Sequence, residues 1–359
     1  MTITVIHCWS APRSRSTALL YSFQSRSDCL HCLDEPLYRD WLLDNPDEYR
    51  PYRDLMLNGE NGESGGDGDN GDGDGDDGRW TDEAKGLDDR LSSHITAVND
   101  NDNDNDSDSV VFIKHMAKHA PHFNFKTNSQ KSKSKSSDIN MNFSPTNDTH
   151  VINNVINVRH VHMMLIRDPI SILKSWHHSS TVKVHNSSAS IMEVGITPLL
   201  DIYGRVVESS NHNGNNGDTD GDVTDDGNIN NNNNNNNSDV MAVVDAEELA
   251  RDPATTLKHL CQTLKIDYTD EMLSWDQGPK ECDGPWANWW YANVHQSTGW
   301  NVNVNESKSE GTVGGGSCYK TVSPELMPAL RASLPVYDYL VRMTLKYKNR
   351  IVMLPGKVS

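Results

Sequence analysis

Cysteine is scarce in this 359-residue sequence, and long apolar runs are missing from it. The six cysteines stand at positions 8, 29, 32, 261, 282 and 318. Cys29-Leu-His-Cys32 has the spacing of a redox or zinc pair, but no second pair completes a metal site, and a strand carrying small apolar-like thiols is the plainer reading. No apolar segment reaches the roughly 18 residues that a membrane span requires, so no membrane partner is expected. The opening Met-Thr-Ile-Thr-Val-Ile-His-Cys-Trp lacks a basic region and holds too short an apolar run for a secretory signal. These absences point to a reduced, soluble, cytoplasmic protein.

Lys and Arg are also absent from three tracts, Gly59–Gly78, Asp100–Asp108 and Asn211–Asp239, which hold eight, five and six acidic residues. Their sum equals the formal net charge of -19, so the rest of the chain is near neutral. The acidity belongs to solvated inserts, and no nucleic-acid partner is expected. Gly, Asp and Asn bury too little apolar area to offset the entropy of ordering, so these tracts read as disordered. With an Asn/Ser/Lys-rich stretch, the inserts fall at about 59–78, 97–108, 124–154, 211–239 and 301–317. What remains suits a single domain over residues 1–350.

The ordered pieces alternate. Ile3–Trp9, Cys29–Leu33, Val110–Lys114, Val161–Ile166 and Val240–Val244 read as strands. Helices are expected over Thr17–Ser25, Pro36–Leu43, Ile170–His177, Met192–Glu208 and Ala254–Leu264, with a last one from Pro324 to Tyr347 broken at Pro335. Continuous apolar strands separated by helices imply an α/β fold, a parallel sheet with helices on both faces. Ligands in such folds bind beyond the carboxyl ends of the strands. That rule singles out residues 10–17, 34–38, 114–119 and 167–175.

Ser10-Ala-Pro-Arg-Ser-Arg-Ser-Thr17 leaves the first strand and enters a helix. A helix N-terminus with unpaired N–H groups suits an oxyanion, and the two arginines add fixed charge with phosphate-matched geometry. A Ser-capped helix with solvated arginines is the competing reading. The ATPase pattern G-x-x-x-x-G-K-[ST] is absent, which counts against nucleotide hydrolysis. Arg167-Asp-Pro-Ile-Ser-Ile-Leu-Lys-Ser175 follows another strand, with Arg and Ser eight residues apart.

Pro12-Arg-Ser-Arg-Ser-Thr17 resembles the 5′-phosphosulfate loop of sulfotransferases that use 3′-phosphoadenosine 5′-phosphosulfate (PAPS), a P-loop NTPase-like fold. Arg15 stands where that family usually has Gly, a change compatible with an ordinary φ and an added cation. Arg167 and Ser175 match the layout of the family's 3′-phosphate motif. The segment Val244–Ile266 is similar to the family's late strand and Asp-Pro-started helix and reads as scaffold. Gly278–Trp300 looks like a narrower branch, one also found in plants fused to a branched-chain aminotransferase-like domain, for which this chain has no room.

The resemblance implies that Arg13, Ser14, Arg15, Ser16 and Thr17 hold the phosphosulfate and that Arg167 and Ser175 hold the 3′-phosphate. It implies PAPS as co-substrate, no metal, and a small-molecule or metabolite acceptor. Sulfuryl transfer needs a base for the acceptor proton and cations on the bridging oxygens. Val111-Phe-Ile-Lys-His115 resembles the family's Lys-x-His element, one residue shorter, which offers His115 as the base and Lys114 for the sulfuryl oxygens. Glu35 in Glu35-Pro-Leu resembles the carboxylate of carbohydrate sulfotransferases and is the rival base, given a raised pKa. A P-loop kinase-like phosphotransferase and a catalytically inactive nucleotide-binding module are the alternative functions.

Overall fold

The computed structural model describes residues 2–48, 50–58, 108–123, 125, 157–180, 194–212, 241–300 and 322–344. The expected inserts lie outside these residues, apart from Asp108, Phe125 and the helical pair Asn211 and His212.

Five strands form one sheet: β1 (Thr2–Ser10), β2 (Cys29–Asp34), β3 (Ser109–Met116), β4 (Asn157–Ile166) and β5 (Met241–Asp245). Their order is β2-β3-β1-β4-β5, and every pairing is parallel. β1 therefore lies in the middle, between β3 and β4, and the chain crosses from one half of the sheet to the other around it. All five carboxyl ends share one edge, and the loop after β1 opens at the switch point where ligands of such folds bind.

Helices cover both faces, as the unbroken apolar strands require. On one face Ile6, Cys8, Phe112, Met163 and Val244 pack against α1 (Ser16–Gln24) and the helix Pro253–Leu264 through Leu19, Leu20, Phe23, Leu257, Leu260 and Leu264. On the other, Trp9, Met164, Ile166 and Val243 pack against Pro169–Ser180, Ile196–His212 and Met327–Val341. The helix expected to start at Met192 begins at Ile196, and Met192 itself lies outside the described residues.

Two helix starts after β5 follow from side-chain caps. Asp245 accepts from the amides of Glu247 and Glu248 at 2.8 and 3.1 Å, and Asp252 accepts from Thr255 at 3.2 Å with Pro253 at the first turn. The expected break at Pro335 does not occur. The helix Met327–Val341 runs through it, because Leu330, Leu334, Val336 and Leu340 all pack into the second core, and tertiary burial outweighs one lost backbone bond. Among the described residues no helix is long and apolar enough to cross a membrane.

Candidate active site at the carboxyl edge of the sheet

The loop after β1 is conformationally unusual. Arg13 and Arg15 have φ of 62° and 65°, in the left-handed region, whereas an ordinary φ was expected at Arg15. Each such residue costs on the order of 1–2 kcal/mol. Arg15 thus adopts the backbone that glycine would, and still supplies a guanidinium. Left-handed residues on either side of Ser14 belong to the backbone patterns from which anion-binding concavities are built. Arg15 stands at the N-cap of α1 without a side-chain cap bond, so its side chain satisfies none of the first-turn amides. Gly195 (φ 75°) supports the loop from behind: a Cβ there would lie 2.7 Å from Cδ of Pro12.

The two expected phosphate sites are joined. Arg13 donates from Nε to Oγ of Ser175 at 3.0 Å, and Arg167 donates from Nη1 to the carbonyl of Arg13 at 2.7 Å. The Arg13 guanidinium also lies over Trp290, 5.7 Å from the ring centroid. Glu247, which sequence reasoning missed, accepts from Arg167 Nε at 2.7 Å and contacts Arg15 Nη2 at 3.5 Å. Burial would raise the Glu247 carboxyl, but Arg167 and Arg15 overcome it and hold the pKa below the usual value. The Ser14 hydroxyl turns inward to the Ala11 carbonyl at 2.6 Å, and Ser16 is buried in the first turn of α1, so the Ser14 side chain braces the loop.

Lys114 and Glu35 meet a few residues away. Lys114 Nζ lies 2.7 Å from Asp34 Oδ1, 2.9 Å from Glu35 Oε1 and 3.4 Å from Thr17 Oγ1. The Tyr291 hydroxyl also contacts Nζ at 2.5 Å, donates to Asp34 Oδ2 at 2.6 Å and accepts from Trp286 Nε1 at 2.8 Å. Burial opposes the Lys114 charge, yet Asp34 and Glu35 hold its pKa above the ordinary value. Glu35 is buried with φ 48°, a strained position for a residue with a Cβ. Its carboxyl is pushed up by burial, with Lys114 opposing and Asp34 reinforcing the rise. One ammonium therefore spans from a basic carboxylate to the loop after β1.

His115 is not part of that cluster. Neighbouring residues on a strand point to opposite faces, so His115 projects away from Lys114 and stacks on Trp9 at 4.3 Å between centroids. Its Nε2 lies 3.2 Å from Nδ1 of His7, and His7 Nε2 lies 3.0 Å from Nδ1 of His160. Burial, with a contribution from His162, lowers the His115 pKa to about 3. A fully enclosed imidazole so weakly basic is poorly suited to take a proton from an incoming acceptor. A second histidine went unremarked in the sequence: His119, buried in the 3-10 turn after β3 and stacked on Tyr38 at 4.6 Å.

A sulfotransferase-domain family model matches residues 4–64 and 219–308. Branched-chain-amino-acid aminotransferase-like proteins 1 and 2 of Arabidopsis thaliana are 30% and 29% identical over 297 and 295 residues, in each case 82% of this chain and 36% of theirs. The chain thus spans about a third of the length of these relatives. Among solved structures, the sulfotransferase domain from the curacin biosynthetic pathway aligns at 12% identity and a TM-score of 0.42, covering 92% of this chain and 96% of its own. The sulfotransferase domain from the Synechococcus PCC 7002 olefin synthase aligns at 11% identity and 0.39, over 92% and 94%. The chain is therefore similar to the sulfotransferase-domain family over the residues that its model matches.

Proposed function

We propose that this protein moves a sulfuryl group from PAPS to a hydroxyl or amine of a small-molecule acceptor in the cytoplasm. The observation that carries the reading is the position of Lys114, within reach of Glu35 on one side and Thr17 on the other. An acceptor meeting Glu35 would then stand beside the loop that holds the group to be transferred.

In this mechanism the N–H groups of the Arg13–Thr17 loop and the Arg15 guanidinium bind the 5′-phosphosulfate, and Arg167 with Ser175 binds the 3′-phosphate. Glu35 takes the acceptor proton as the acceptor oxygen or nitrogen bonds to sulfur and the bond from sulfur to the 5′-phosphate oxygen breaks. Lys114 offsets charge on that bridging oxygen, and 3′-phosphoadenosine 5′-phosphate leaves. Glu35 suits the role through its raised pKa, Asp34 helps keep Lys114 charged, and Tyr291 contacts both the ammonium and Asp34. Glu247 holds Arg15 and Arg167 by one edge each, which leaves other N–H groups of both for phosphate.

Calorimetry with 3′-phosphoadenosine 5′-phosphate tests the clamp. Arg167→Ala is expected to weaken binding by ~1.5–3 kcal/mol, the scale of a hydrogen bond to a charged group. Unchanged affinity would remove Arg167 from the donor site.

A further inference from the structure

The Cys29-Leu-His-Cys32 pair has no part in this chemistry. Residues three apart on a regular strand lie about 10 Å from one another and point to opposite faces. Here the two sulfurs are 3.6 Å apart. The pairing of β2 with β3 explains why: its register shifts between Cys29 and His31, an irregularity that turns the Cys29 side chain toward Cys32. Cys29 is partly exposed at the start of an edge strand, while Cys32 is buried and points to the Leu20 carbonyl of α1 at 3.8 Å. One thiol is thus open to a reagent and the other stands behind it.

We propose that Cys29 and Cys32 form a reversible dithiol–disulfide couple that exchanges with low-molecular-weight disulfides such as oxidised glutathione. The Cys29 thiolate attacks one sulfur of the small disulfide, forming a mixed disulfide and releasing one thiolate, which takes up the proton Cys29 gave up. Cys32, losing its proton, then attacks the Cys29 sulfur and expels the second small thiol. The protein loses two electrons and two protons, and the small disulfide gains them as two thiols. Closing the bond needs the sulfurs to approach to about 2.05 Å, a movement of roughly 1.5 Å. Burial raises the Cys32 thiol, as does Cys29 beside it, in keeping with the second, resolving role. Cys32 lies two residues before Asp34 on the strand that ends at the candidate site.

Alkylation mass spectrometry of the folded full chain after exposure to oxidised glutathione tests this. Cys29 and Cys32 are expected to lose reactivity together and to regain it with dithiothreitol. Cys32→Ser is expected to trap one glutathione on Cys29. Should that buried substitution prevent folding, Cys29→Ser, at the exposed position, is expected to yield neither disulfide nor mixed disulfide at Cys32. The proposal is overturned if both thiols stay alkylatable, if glutathione settles on nearby Cys282 instead, or if the wild type keeps a mixed disulfide at Cys29.

Discussion

His115 was the first candidate base and Glu35 its rival, and their surroundings separate them. Both are buried. Burial makes a carboxylate more basic and an imidazole less so, because in each case it disfavours the charged form. Glu35 moves up and His115 moves down to about 3, so the same desolvation favours one base and disables the other. Glu35→Gln is expected to lower turnover by ~10²–10⁴ while affinity for 3′-phosphoadenosine 5′-phosphate holds. His115→Phe is expected to leave turnover within a few-fold of wild type. Steady-state kinetics on both variants checks this, and the reverse pattern returns the base role to the histidine. The arginines illustrate what residue identity conveys. Arg13, Arg15 and Arg167 stood out as fixed charges at strand-to-helix turns and Ser175 by its spacing from Arg167, and their role as anion ligands is part of the proposal. Glu247 was not, since 232 residues separate it from Arg15 and its run Asp245-Ala-Glu-Glu reads equally well as a capped helix start.

Elements were more readable than their assembly. β1, β3 and β5 are largely apolar runs, β2 and β4 mix apolar residues with histidines, and each observed strand contains or closely overlaps the expected one. Boundaries shifted where a cap or a partner decides them: β3 and β4 extend further than their apolar cores because neighbouring β1 offers pairing along its whole length. The segment Gly278–Trp300 was legible through its resemblance to a narrower branch and as a cluster of aromatics, but its attachment was not. Its attachment depends on Asp283, which accepts from the Tyr21 hydroxyl at 2.6 and 2.8 Å and from the Lys280 amide at 2.8 Å, and lies 2.9 Å from His295 Nε2. This clasp ties the segment to α1, and from there Tyr291 reaches Lys114 and Trp290 reaches Arg13. Asp283→Asn keeps the shape and removes the charge. It is expected to lower stability by ~1.5–3 kcal/mol, read as a lower urea midpoint. An unchanged midpoint would show that aromatic packing alone holds the segment.

At the scale of the molecule, the strand order and the pairing of distant turns were beyond sequence reasoning, since apolar strands of similar length carry no mark of their neighbours. Neither did the sequence show that β1, β3 and β4 bring four histidines together on one face. His7, His115, His160 and His162 all have pKa values lowered by burial, with His115 and His162 near 3. The unfolded chain binds these protons near pH 6.5 and the folded chain resists them. Stability is therefore fully present above about pH 6.5 and falls as the pH drops toward 3, by up to ~1.4 kcal/mol per pH unit for each histidine. The urea midpoint is expected to be lower at pH 5.5 than at pH 7.5, with the difference reduced in His162→Phe. Equal midpoints at the two pH values would mean that the cluster is protonated in the folded state or opens at little cost.

The central claim is that an arginine clamp and a carboxylate–lysine pair at the carboxyl edge of the sheet transfer a sulfuryl group. It is tested most directly by incubating the protein with sulfur-labelled PAPS and a metabolite extract, in parallel with γ-labelled ATP, each with and without a chelator. Label from PAPS is expected to reach an extract component equally well with chelator and to stop doing so in Glu35→Gln, and label from ATP is expected not to move. Magnesium-dependent transfer from ATP, with the PAPS label left on its donor, would contradict it.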